Sequence, residues 1–160
     1  MKRLVYIFSA CLFLFASCKE KTYYYEVNDI EILPNNSGKT KQKSVEQFIN
    51  IAYANLNQKA LSPDQLVDIT DVIASIGDKQ IAFETIIAKM ITAPDVAIPP
   101  DSEMRADVPL FVVETYKRFY VRFPTEAEKT FWVNYINSHP TVTPETVYFA
   151  FATSDEYYYY

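Results

Sequence analysis

One histidine, two cysteines and two glycines leave this 160-residue chain few ways to do covalent or metal chemistry. His139 stands before Pro140, outside any Cys-x-x-Cys-His or His-Glu-x-x-His arrangement, so an exposed or helix-capping role suits it better than a zinc or haem ligand. Gly38 and Gly77 are too few to build a phosphate-cradling loop or a nucleophile elbow in the familiar way, which excludes nucleotide enzymes. Two carboxylate pairs, Glu126 with Glu128 and Asp155 with Glu156, have the residue types of acid–base catalysis. Both pairs fall at helix ends, where the helix dipole accounts for N-terminal negative charge and acids are usually solvated. No catalytic residue, metal or cofactor is expected. Glu114 stands one turn before Arg118, a spacing that predicts a helix-surface ion pair worth ~0.3–0.5 kcal/mol. The tyrosine runs are the oddest feature. Tyr23 to Tyr25 lie near the start, and Tyr157, Tyr158, Tyr159 and Tyr160 close the chain, where they either pack on the domain or present a stacking surface for a glycan or peptide.

The elements that would position these residues are helical. Ser44 with Gln47, Ser62 with Gln65 and Thr125 with Glu128 each set a hydroxyl three residues before a side chain able to reach back to the cap amide. Pro63 and Pro144 follow Ser62 and Thr143, where a missing amide hydrogen costs nothing. Gly77 is expected as a left-handed cap. The spacing predicts helices over 45–58, 63–76, 79–92, 108–122, 126–138 and 144–153. Val45, Phe48, Ile49, Ala52 and Leu56 share one face, as do Val108, Phe111, Val112, Thr115 and Phe119. A shift of 63 residues superposes Phe48 on Phe111, Ile49 on Val112, Tyr53 on Tyr116 and Leu56 on Phe119. Leu66, Ile69 and Ile73 echo Ala127, Phe131 and Tyr135, and a shift of 61 sets Glu84-Thr85-Ile86 on Glu145-Thr146-Val147. The expected fold is all-α, a six-helix bundle of two diverged three-helix repeats, about 44–96 and 107–157, joined by a connector over 94–107. Phe131, Trp132 and Tyr135 are expected in the core.

The N-terminal residues have a different character. Lys2 and Arg3 precede an apolar run from Leu4 to Ala16 that is too short to cross ~30 Å of hydrocarbon, and Leu14-Phe15-Ala16-Ser17-Cys18 follows. This stretch resembles a bacterial lipoprotein signal peptide. The resemblance implies cleavage before Cys18, lipidation of Cys18 and a leader over 1–17; Phe8-Ser9-Ala10-Cys11 is a rival box with a shorter apolar core, and an ordinary secretory leader is the third reading. Cys18-Lys19-Glu20-Lys21 is also similar to the signal after the lipidated cysteine of surface-exported lipoproteins, which implies an outer membrane, outward-facing location. Without the leader, 143 residues remain, with no thiol beyond the anchor and 13 basic against 20 acidic residues, a charge of −7. That balance argues against a nucleic-acid partner. Residues 18–43 read as anchor and flexible tether, with Lys39, Lys41 and Lys43 solvated or facing lipid headgroups.

Phe111-Val112-Val113-Glu114-Thr115-Tyr116, Arg122-Phe123-Pro124-Thr125-Glu126, Phe131-Trp132 and Phe151-Ala152-Thr153-Ser154-Asp155-Glu156-Tyr157 resemble a helical domain of unknown function. That domain recurs in secreted and surface-layer bacterial proteins and is itself similar to phycobilisome linker domains. Thr92 to Val96 stands in for its terminal motif in the first repeat. The resemblance implies a scaffold without established catalysis and sets an arginine at Arg122, paired with an acid of the terminal motif or, alternatively, with a ligand. The function expected is a non-catalytic, membrane-anchored adaptor for an envelope or surface protein, using a helix face, Arg122 or the terminal tyrosines. A surface carbohydrate-binding lipoprotein is the alternative.

Overall fold

Ser44, Ser62 and Thr125 each accept a hydrogen bond from the backbone amide three residues on, while Gln47, Gln65 and Glu128 reach back to the cap amide. Two of the four amides left bare at a helix start are satisfied by each such box. The boxes open α1 (Val45–Asn57), α2 (Pro63–Ser75) and α6 (Glu126–Ser138). The computed structural model describes residues 31–34 and 38–160, and the remaining elements are α3 (Lys79–Ile91), α4 (Asp101–Ala106), α5 (Val108–Tyr120), α7 (Pro144–Ala152) and a 3-10 turn over Asp155–Tyr158. The fold is all-α, with only two isolated bridges, Leu33 with Arg122 and Gln42 with Tyr159, among the described residues.

Each predicted helix is present, and the connector holds one more. Pro99-Pro100, read as a linker, instead leads into α4, whose first turn carries Asp101 and Glu103 and whose last carries Arg105, charges that complement the helix dipole. Met104, fully buried, fastens this short helix to the core. Arg105 then donates to the carbonyls of Ile136 and Val142, both at 2.6 Å, covering the C-terminal end of α6. Gly77 differs from expectation: no described glycine has a positive φ, and α2 ends on extended Ile76. Lys79 supplies the cap there, its ammonium donating to Ile73 O at 2.8 Å. The left-handed residues are Gln58 (φ 53°) and Val121 (φ 55°), at the ends of α1 and α5.

Gln58 and Val121 are 63 residues apart, and the repeat runs through the whole burial pattern. Phe48, Ile49, Ala52, Leu56 and Asn57 of α1 are buried, as are Phe111, Val112, Thr115, Phe119 and Tyr120 of α5. In the second helices the same shift equates buried Ile73 with buried Ile136, and half-buried Ile69 with Trp132. The register expected there, through Ala127, Phe131 and Tyr135, is therefore one to two residues off. Phe131 is 61% exposed, Trp132 and Tyr135 are half-buried, and the core residue of α6 is Ile136. In the third helices a shift of 61 sets Ile86, Ile87, Met90 and Ile91 on Val147, Tyr148, Phe151 and Ala152, all buried.

One continuous core unites the two repeats, with α3 packed against α7 across their boundary. Tyr157 lies at its centre with no exposed surface, edge-on to Phe48 of the first repeat (5.6 Å between ring centroids) and to Phe119 of the second (5.7 Å). Arg118 ties the repeats from the other side. Rather than pairing with Glu114, it donates to Asn55 O (2.6 Å), Ala97 O (2.9 Å) and Tyr148 Oη (3.0 Å), while Glu114 bonds Lys117. A guanidinium on the Asn55 carbonyl, in the last turn of α1, meets the negative end of that helix.

Candidate functional site

Arg122 follows the left-handed residue that ends α5, and this turn sends its side chain inward, where it is 6% exposed. Glu128 reaches it from the capping box of α6, and Glu156 from the 3-10 turn. Arg122 Nε and one terminal nitrogen donate to the two oxygens of Glu156, each at 2.7 Å. The terminal nitrogens also donate to Glu128 Oε1 at 2.7 Å, Glu128 Oε2 at 3.0 Å and Phe123 O at 3.0 Å. Five hydrogen bonds match the five N–H donors of a guanidinium, so none is left for a ligand. The rings of Tyr116 and Tyr120 flank the cation at 5.0 and 5.6 Å. Lys39 adds a second positive charge 3.7 Å from Glu156, balancing the two acids.

The electrostatics follow this geometry. Hydrogen bonds from Arg122, joined by those from the Thr125 amide and hydroxyl and opposed by burial, hold the Glu128 carboxyl down at about 2. The Arg122 guanidinium is pushed up by its bonds to Glu156 and Glu128. Burial raises Tyr120 to about 12 against the bond its hydroxyl shares with Ser154. The acids expected as solvated helix-end pairs are thus split: Glu126 and Asp155 are exposed, while Glu128 and Glu156 are committed to Arg122.

The terminal tyrosines also separate. Tyr157, expected as a candidate interaction residue, is enclosed, and its hydroxyl accepts from Asn55 Nδ2 at 2.9 Å. Tyr158 stacks on Phe48 at 5.1 Å. Tyr159 and Tyr160 keep 37% and 43% of their surface exposed. They run antiparallel to 41–43, with Lys43 N donating to Tyr158 O and Tyr160 N to Lys41 O. Lys39 and residues 41–43, expected as tether, therefore contact the helical domain. Lys43 sits over the Tyr157 ring at 4.3 Å, and burial, reinforced by Lys39 and opposed by Glu156, brings its ammonium down to about 8. Cys18 and Tyr23 to Tyr25 lie outside the described residues.

A surface missed from the sequence lies on α6. Phe131 stacks on Tyr135 with centroids 6.1 Å apart, Trp132 meets both edge-on, and the His139 ring lies 4.4 Å beyond Tyr135. His139 is exposed at the end of the helix, its Nδ1 2.8 Å from Tyr135 O. Aligning Trp132 on Ile69 instead of Phe131 would have placed Phe131 outside the core. Among the described residues no group of three or more His, Cys, Asp or Glu is placed to hold a metal, and no helix is long and apolar enough to cross a membrane. No protein-family model matches the chain, and no curated protein or solved structure does.

Proposed function

We propose that this chain is a lipid-anchored, non-catalytic adaptor that binds another envelope or surface protein. The observation that carries this reading is Phe131, 61% exposed and in contact with Trp132 and Tyr135 on the outer side of α6. Single apolar residues on a surface need no explanation, but touching aromatics do, and rigid rings of this kind are what dominate protein interfaces. The helix holds them in place at little entropy cost.

Lipidation of Cys18, implied by the leader, would set this surface within reach of a membrane. The fifteen residue-to-residue steps from Cys18 to Leu33 span at most ~50 Å, and two or more acyl chains give the stable attachment that one chain does not. The outer membrane, with the domain facing outward, is the proposed location. The carbohydrate-binding alternative draws on the same feature, because a flat exposed ring also stacks on a sugar.

Cross-linking of the native lipoprotein on intact cells, with mass spectrometry of the linked species, tests the adaptor reading. A dominant protein partner is expected, its links through α6 lost in Phe131→Ala at unchanged Tm. Links indifferent to Phe131→Ala would remove this surface from the interface. Response to a broad glycan panel without a protein partner would transfer the function to saccharide binding. For the anchor, Cys18→Ala is expected to end incorporation of labelled fatty acid.

A further inference from the structure

Lys39, Lys43, Lys117 and Arg118 line one groove, although the chain as a whole is acidic, with 20 Asp and Glu against 15 Lys and Arg. The groove holds about 730 Å³ where residues 32–33 and 39–43 meet α1, the end of α5 and the last two tyrosines. No acidic residue lines it. Backbone bonds hold its rim in place, with Leu33 N donating to Val121 O at 2.9 Å and Tyr160 N to Lys41 O at 2.8 Å. The walls are otherwise mainly apolar, built from Ile32, Leu33, Ile51, Ala54, Val121 and Tyr160. Apolar walls with a few charged groups, at this size, are the make-up of a ligand site.

Two of the four cations are balanced within the protein. Lys39 lies 3.7 Å from Glu156, and Lys117 lies 2.8 Å from Glu114. Lys43 and Arg118 pair with no carboxylate among the described residues. Half-buried Lys43 donates to the Tyr157 carbonyl and lies over the rings of Tyr157 (4.3 Å) and Tyr160 (5.4 Å). Arg118 donates only to neutral oxygens, those of Asn55, Ala97 and Tyr148. Glu103 and Asp107 border Arg118 from a separate cavity and form no ion pair with it. An ammonium has three N–H donors and a guanidinium five, so each cation keeps two beyond these bonds. Tyr157 links them: Lys43 sits over its ring, and its hydroxyl accepts from Asn55, whose carbonyl takes Arg118 Nε at 2.6 Å. Cations drawn partly out of water without a counter-charge are costly, and a bound anion offsets that cost.

We propose that this groove binds a single-chain fatty acid, with its carboxylate on Lys43 and Arg118 and its chain against the apolar walls. A carboxylate brings two oxygens, one for each cation that lacks a partner. The methylenes displace water from the walls, so affinity grows with chain length. A cationic amphiphile meets four positive charges and is rejected. The site uses neither Phe131 nor the anchor at Cys18, and it stands or falls separately from the adaptor reading.

The test is calorimetric titration and amide-shift mapping of the full chain with decanoate, hexanoate, decanol, decyltrimethylammonium and decyl phosphate. Decanoate is expected to saturate one site, with shifts at Ile51, Ala54 and Val121. It should bind roughly tenfold or more tightly than hexanoate and about tenfold more tightly than decanol, while decyltrimethylammonium leaves these signals unmoved. Lys43→Gln should lower decanoate affinity about tenfold and leave that of decanol unchanged. Ala54→Phe, filling the groove from an exposed position on α1, should abolish binding at unchanged Tm, and Lys41→Gln, outside the lining, should leave it intact. Equal affinity for decanoate and decanol, indifference to chain length, shifts outside the groove, or no saturation would overturn the proposal. Tighter binding of decyl phosphate than of decanoate would overturn the carboxylate as head group.

Discussion

Arg122 shows how a residue that looks available in sequence becomes committed in the fold. Arg122 is buried while its two acids keep about a third of their side chains in solvent, and removing the cation leaves two partly buried carboxylates with only Lys39, 3.7 Å from Glu156, as a neighbouring positive charge. Arg122→Gln is expected to lower stability by ~2–3 kcal/mol in urea unfolding, below the ~3–5 kcal/mol of a fully buried pair because both acids are partly in solvent. Its first-repeat counterpart, Lys59→Gln, should change stability by under ~0.5 kcal/mol, because its pair with Asp95 is largely in water. The hub also sets an acid dependence. Glu128 is held at about 2 in the folded chain, below the ordinary carboxyl value of 4.5, so the folded state binds its proton later than the unfolded one does. Its contribution is fully present above about 4.5 and is lost as pH falls toward about 2. With about a third of the Glu128 side chain in solvent (32%), the contribution is ~1–2 kcal/mol after screening. Urea midpoints from pH 5 to 2 should fall more steeply for the native chain than for Glu128→Gln.

Helix boundaries show which parts of the fold local chemistry writes and which it does not. The left-handed caps fall on Gln58 and Val121, neither of which is glycine. Exposed Gln58 makes the cleaner test: Gln58→Gly is expected to raise stability by ~0.5–1 kcal/mol with unchanged denaturant slope, and Gln58→Val to lower it. Helix starts were legible in the sequence because a capping box is a contact between residues three apart. Gly77 misled because Lys79, reaching back from the next helix, caps α2 without a left-handed turn. Helix α4 was hidden because six residues are too few to show a period, and its formation depends on Met104 in the core and Arg105 on the end of α6. On α6 the two candidate faces differ by a single residue, and aromatic character drew the assignment to Phe131. Burial instead goes to Ile136, the residue that the shift of 63 selects.

At the scale of the molecule, the duplication was readable because burial repeats at the same spacing in both halves, whereas the contacts that join the halves were not. Arg118 to Asn55 spans 63 residues and Tyr157 to Phe48 spans more than a hundred, and no local pattern marks either. Those contacts join the two repeats in one core. Tyr157 is wholly enclosed between Phe48 and Phe119, so Tyr157→Ala should remove ~3–5 kcal/mol, a large part of the ~5–15 kcal/mol that holds a domain of this size. Because the lost contacts belong to both repeats, the loss should be shared between them. Trp132, the only tryptophan, reports on the second repeat by fluorescence, and amide exchange at Ile87 reports on the first. In Tyr157→Ala both unfolding transitions are expected to move together to lower denaturant, as cooperative unfolding of a single unit requires. Movement of the Trp132 transition alone would show two repeats of independent stability, and would place the strength of the fold within each repeat instead of at the tyrosine between them.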